Sequence, residues 1–195
     1  MAMGRREKQK IIRIASSILL AITLILLQHY GFIPGQEPVE ESIQNHTPGL
    51  YKVVKFDDGD TIAVDMEGKK ETIRFIGVDT PETHDPRKPV QCFGKEASAF
   101  TKQTIGDSRV RLEADRLSGN RDRYDRLLRF VYLPNGQLLN QTLIEEGYGF
   151  AITGFPHTKM ESFVNSEADA KSKQRGLWGQ CELETVNGLL RTAPA

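Results

Sequence analysis

Charge of neither sign is in excess in this sequence: 26 Lys and Arg are matched by 26 Asp and Glu, for a formal net charge of zero. No global basic field advertises a polyanion partner, which counts against a non-specific nucleic-acid coat protein. A local basic cleft stays open, because it needs only a few well-placed arginines. Cysteine is almost missing, with Cys92 and Cys181 the only pair. Two cysteines fall short of the four-ligand spacing of a structural zinc site. There is no internal repeat, and no low-complexity tract beyond one short spacer. At 195 residues the chain suits a single domain with appendages.

The N-terminal stretch is of a different kind from the rest. Arg5, Arg6, Lys8, Lys10 and Arg13 precede an apolar run from Ile14 to Leu27 whose polar members are only Ser and Thr. A positive flank followed by a hydrophobic segment is the layout of an export signal. Leu27-Gln28-His29-Tyr30-Gly31 offers no small-x-small cleavage site. A retained anchor needs about 20 residues to cross the hydrocarbon core, and the run reaches that only if it extends from Ile11 towards Ile33. The preferred reading is an uncleaved membrane anchor with an outward-facing domain, and the alternative is secretion after cleavage. Either places the domain in the cell envelope or outside the cell. An oxidising compartment would let Cys92 and Cys181 join, closing a loop worth roughly 4–5 kcal/mol in the loop-entropy model. Two free thiols are the competing expectation.

The chain divides into an anchor or signal over 1–33, a spacer rich in Pro, Gly, Glu, Gln and Asn over 34–48, a folded domain over 49–181 and a tail over 182–195. Within the domain, Leu50 to Phe56, Thr61 to Asp65, Thr72 to Val78, Ser108 to Ala114 and Arg126 to Leu133 read as strands. On the third, Ile73 and Phe75 share one face and Arg74 lies on the other, with Ile76 and Val78. Helical spacing covers Gly94 to Ile105, with Ala97, Phe100, Thr101 and Thr104 on one stripe. Asn140 can cap a short helix that stops at Gly147. Thr158 and Glu161 form a capping box for a last helix to about Lys173, with Met160, Phe163, Val164 and Ala168 as its apolar side. The class is α+β. Five strands that avoid open edges by curling suggest an oligonucleotide-binding-type (OB-fold) β-barrel with three α-helices, preceded by the N-terminal hydrophobic helix.

Three segments carry chemistry. Asp58-Gly59-Asp60-Thr61 is a turn between strands, and alone it is no more than a turn. Arg74 to Thr83 delivers an arginine and then two carboxylates, Asp79 and Glu82, around Pro81, which keeps the loop extended. Arg121 to Arg126 is a charge cluster at the start of a strand. Phosphodiester cleavage needs oxygen ligands for a hard cation, guanidinium groups for the phosphate and a carboxylate to take a proton from water. Asp60, Asp79, Arg74, Glu82 and Arg126 can fill those roles.

These segments, together with Gly94 to Lys102 and Asp122-Arg123-Tyr124-x-Arg126, strongly resemble the staphylococcal (micrococcal) nuclease family over about Leu50 to Trp178. The resemblance implies the barrel-plus-three-helix fold. It also implies a calcium-dependent endonuclease that cuts DNA and RNA to 3′-phosphates. Carried over, Asp60 and Asp79 are expected to bind Ca2+ with the backbone carbonyl of Thr80. Arg74 and Arg126 are expected to bind phosphate and its transition state, Glu82 to act as general base and Tyr124 to touch substrate. DNA, RNA and the membrane are the expected partners, and no protein partner is implied. A non-catalytic nucleic-acid- or protein-binding module of the same fold is the alternative.

Two departures stand out. The family commonly has Gly where Asp125 stands, and that carboxylate could pair with Arg126 or repel phosphate. Tyr148 to Phe155 lacks the family's pair of nucleotide-stacking tyrosines, for which Phe150 or Phe155 is a conceivable substitute. Trp178 is expected to be a packing anchor, His84 and His157 to be solvated, and Lys171 to Arg175 to suit the positive end of a helix.

Overall fold

A computed structural model describes residues 50–83, 90–186 and 188–195, with Glu7, Gln9 and Ser16 as isolated positions before them. Apart from Ser16, the N-terminal apolar run lies outside the described residues, as do the spacer and His84. Among the described residues no helix is long and apolar enough to cross a membrane.

From Leu50 onward the elements run β1 (Leu50–Asp58), β2 (Thr61–Met66), β3 (Lys69–Phe75), β4 (Val78–Asp79), α1 (Gly94–Ile105), β5 (Arg109–Glu113), β6 (Leu127–Tyr132), α2 (Leu139–Glu145), β7 (Phe150–Ala151), α3 (Met160–Ser172), a one-turn α4 (Leu177–Gln180), β8 (Leu183–Val186) and β9 (Leu189–Thr192). Five strands close a barrel in the order β1-β2-β3-β6-β5. All its pairings are antiparallel except β3 with β6, which is parallel. Register shifts in β1 at Val53/Lys55 and Phe56/Asp58 bend that strand, a device that lets a short sheet curl shut. Ile62, Val64, Ile73, Phe75, Val110 and Val131 are among the barrel residues that fill the core. Each such side chain gains roughly 1.5–3 kcal/mol by leaving water. The barrel and the three longer helices match the sequence expectation.

The structure corrects several local readings. The third strand stops at Phe75, so Arg74 does not share a continuing face with Ile76 and Val78. Gly77 breaks it with a φ of 77°, and a Cβ there would meet the His157 ring at 2.7 Å. Asn140 is no cap. It lies inside α2, fully buried, where its Oδ1 accepts from the Val131 amide at 2.8 Å and its Nδ2 donates to the Ile76 carbonyl at 2.9 Å. Buried beside the end of a strand, an amide serves the backbone better than it would at a wet helix end. Thr158 does not build a capping box, because Lys159 takes the cap position and the Thr158 hydroxyl donates to Asp115 at 2.5 Å. The buried side of α3 is Phe163, Ser166 and Ala170, while Val164 and Ala168 face solvent.

The segment 182–195, set apart from the domain in the sequence reading, is a hairpin that pairs back onto it. β8 and β9 run antiparallel, and beyond β9 Pro194 bridges to Gln91. Cys92 and Cys181 form a disulfide across 89 residues.

Candidate active site

The Asp58-Gly59-Asp60 turn is wedged against its surroundings. A Cβ on Gly59 would come within 2.9 Å of both Ala97 in α1 and the Thr80 methyl, so only glycine lets the turn sit this close. Thr101 of α1 donates to the Gly59 carbonyl at 2.5 Å. Asp60 is thereby held in the interior. Its Oδ1 accepts from the Thr61 hydroxyl at 2.9 Å, and its Oδ2 accepts from the Thr80 amide at 2.7 Å and hydroxyl at 3.0 Å.

Arg74, opposite Thr61 in the β2–β3 ladder, joins the two carboxylates. One guanidinium nitrogen lies 2.8 Å from Asp60 Oδ2 and donates to the Val78 carbonyl at 2.7 Å, and the other donates to Asp79 Oδ1 at 2.6 Å. The Arg74 side chain is 13% exposed, against 45% for Asp79. Burial works against the Arg74 cation, yet Asp60, Asp79, Asp122 and Asp58 together hold it above its ordinary value. Asp79 is pushed the opposite way for a carboxylate. Desolvation raises its carboxyl, Arg74 pulls it back, and the nearby Asp60 adds to the rise.

Glu82 follows Pro81 in the same loop, and its charge is felt at Asp79. Its backbone is fixed at both ends. Its amide donates to Gln91 Oε1 at 2.7 Å, and its carbonyl accepts from the Gln91 amide at 3.0 Å. One of its own oxygens accepts from the Thr83 amide at 3.1 Å. Gly94, opening α1, packs so closely that a Cβ would lie 2.7 Å from the Thr83 methyl and 3.0 Å from the Glu82 carbonyl. Gly94 at the start of α1 is therefore the wall behind the carboxylate loop.

Arg126 arrives from the neighbouring strand, one residue ahead of β6, which pairs in parallel with the strand bearing Arg74. Asp122 holds it in place. Asp122 Oδ2 accepts from Arg126 Nε at 2.7 Å, and Oδ1 accepts from the Tyr124 and Arg126 amides at 2.9 and 3.0 Å. Burial opposes the Asp122 charge, but these hydrogen bonds outweigh it and keep its carboxyl below the usual range. Asp125, beside Arg126, turns away from it. Its side chain is 88% exposed, and its nearest cation is Arg121 at 3.6 Å. Tyr124 is exposed, with the guanidinium carbons of Arg123 and Arg126 lying 4.8 and 5.4 Å from its ring centre.

Asp60, Arg74, Asp79, Thr80 and Glu82 thus lie together around one loop, and the Asp122–Arg126 pair is near enough for Asp122 to act on Arg74. Sequence reading missed the parts played by Asp122 and Gln91. Asp122 could have been found as an acid four residues before an arginine that also closes an Asx turn. Gln91 had no such signal. Phe150 is buried edge-on against Trp178, so it offers no stacking face, whereas Phe155 is 75% exposed. Trp178 packs as expected, with Lys171 Nζ at 4.5 Å from its ring centre. His157 is not solvated, being buried between Phe130 and Phe163.

Among the described residues no three His, Cys, Asp or Glu side chains are grouped to hold a metal ion. A cation here would draw on the Asp60 and Asp79 carboxylates and the Thr80 carbonyl. Those donors are all oxygen, and both carboxylates already converge on a single positive group, Arg74. The set therefore fits a hard cation.

A family model described as staphylococcal nuclease homologue matches residues 72–180, a stretch that takes in Arg74, Asp79, Thr80, Glu82, Tyr124 and Arg126 and begins after Asp60. The thermonucleases of Staphylococcus hyicus and Staphylococcus intermedius are each 36% identical to it, covering 85% of this chain and 98% of the relative. Endonuclease YncB of Bacillus subtilis is 39% identical over 67% of this chain and 62% of its own length. On these grounds the chain belongs to the staphylococcal nuclease family.

Proposed function

We propose that this protein is a calcium-dependent nuclease that hydrolyses phosphodiester bonds of DNA and RNA to leave 3′-phosphates. The observation that carries the reading is the meeting of Asp60 and Asp79 on the Arg74 guanidinium, with Glu82 in the same loop. Asp60, Asp79 and the Thr80 carbonyl are the residues that would hold the ion. Bound there, a hard cation would neutralise a phosphate oxygen and favour attack by water.

The chain's own groups supply the rest. Arg74 binds a non-bridging phosphate oxygen and offsets the mutual repulsion of the two acids. Arg126, its guanidinium held by Asp122, opposes charge that grows at phosphorus. Glu82, with its backbone fixed, takes a proton from the attacking water. Tyr124 offers an exposed ring to the nucleotide. The folded domain is proposed to face outward, held by the N-terminal segment or released from it.

The test is cleavage of a labelled oligonucleotide by the full chain with calcium chloride, and its loss with a chelator. Glu82→Gln and Arg126→Ala should each lower the rate by about two orders of magnitude or more. Unimpaired cutting by both variants would sink the residue assignments. Equal binding with and without the chelator, and cutting in neither, would favour the non-catalytic module.

A further inference from the structure

The hairpin at the C-terminus lies beyond the stretch matched by the family model, and it packs directly behind the loop that bears Glu82. The contacts form a continuous series. The Cys92 amide donates to the Ala193 carbonyl at 2.9 Å, and the Ala195 amide donates to the Val90 carbonyl at 2.9 Å. Between them Gln91 bridges to Pro194. The Thr192 hydroxyl, fully buried, donates to the Cys92 carbonyl at 2.8 Å. On its inner side the same three-residue segment, 90–92, meets Glu82. There Gln91 uses its amide on the Glu82 carbonyl at 3.0 Å and its side-chain oxygen on the Glu82 amide at 2.7 Å. The Cys92–Cys181 disulfide fastens this segment to the start of the hairpin. One further residue of β9 reaches the site: Arg191 acts favourably on the Asp79 charge, and its Nε is buried with no hydrogen-bond partner among the described residues.

We propose that Gln91 is the positioning residue for the catalytic Glu82, held in register by the C-terminal segment 193–195 and the disulfide. The backbone of Glu82 has no regular sheet or helix of its own to fix it. A side-chain amide that receives its N–H and a main-chain amide that binds its carbonyl replace that support. Gln91 in turn keeps its place because the residues on either side of it are hydrogen-bonded to the C-terminal segment. Without these bonds Glu82 would sample positions away from the attacking water, and misplacement of about 1 Å is enough to lower a rate by roughly a hundredfold.

The inference rests on Glu82 acting as the base, so the experiment is a double-mutant cycle on the full chain with a labelled oligonucleotide and calcium chloride. Gln91→Ala should lower kcat by 10- to 100-fold, with KM within about twofold and the melting temperature near that of the parent. Gln91→Glu, which keeps an acceptor oxygen in place, should recover most of the loss. In a Glu82→Gln background, Gln91→Ala should cost nothing further. The paired replacement Cys92→Ser with Cys181→Ser, and deletion of residues 193–195, should lower kcat in the same way in protein that still melts cooperatively. If Glu82→Gln retains full activity, the reading of Glu82 as base fails. If Glu82→Gln is inactive while Gln91→Ala keeps the parent kcat, or if the two losses multiply, positioning through Gln91 is overturned.

Discussion

Asp125 occupies a backbone position with a φ of 65°, one that side-chain-bearing residues adopt reluctantly. This explains why glycine is the usual residue of the family there, and it separates the residue's shape from its charge. The carboxylate points to solvent and to Arg121, so it neither pairs with Arg126 nor blocks it. Asp125→Gly is expected to raise stability by about 0.5 kcal/mol, as relief of the strained φ slightly exceeds the added freedom of the unfolded chain. Its kcat should stay within twofold of the parent, read by thermal melts and steady-state cleavage. A tenfold change in kcat would mean that Asp125 does act on Arg126. Asp122, by contrast, touches Arg126 through both its oxygens, and its partnership was concealed in the sequence only because charge clusters are usually solvated faces.

Among the elements, the junction of the Pro81–Thr83 loop with α1 leaves no room for a side chain at Gly94. Gly94→Ala introduces a methyl group where the Thr83 methyl and the Glu82 carbonyl already stand, at 2.7 and 3.0 Å. Overpacking of this kind costs about 1–3 kcal/mol, and here the yielding part is the loop rather than the helix. We expect kcat to fall at least tenfold while the far-ultraviolet circular dichroism is unchanged, and parent-like kcat would show that the loop tolerates the shift. The same element shows how far sequence reasoning reaches. Strand and helix cores were legible, because Ile73 with Phe75 and Ala97 with Thr101 repeat at the strand and helix periods. The acids and Arg74 were legible because a turn and a proline isolate them. Caps and ends were not. Thr158 was claimed by Asp115 and Asn140 by β6, and those partners are distant in the chain, so no local pattern could announce them. The break at Gly77 was set by the His157 ring, which is equally remote.

For the molecule as a whole, His157 couples stability to pH. Burial depresses its pKa below the ordinary 6.5, with the Ile152 backbone and the Asp115 charge pulling the other way. A base whose folded pKa is depressed binds fewer protons than its unfolded form, so stability is fully present above about pH 6.5 and falls as pH drops towards the folded pKa. The lowered carboxyls of Glu71, Asp115 and Asp122 lose their contribution only at lower pH, below their ordinary values near 4. The melting temperature should therefore decline between pH 7 and 5 in the parent and decline less in His157→Phe. Equal slopes in the two proteins would remove His157 as the source. The parallel seam between β3 and β6 has a consequence in time as well as in space. Asp60, Arg74 and Asp79 stand on neighbouring strands and turns that can assemble from local contacts, but Arg126 joins them only when Leu128 settles beside Arg74, after α1 and β5 have been laid down between. Parallel pairings of distant segments form slowly. A refolding chain should thus regain its affinity for a cation before it regains the power to cut, and the lag between the two measures how long the sheet takes to close.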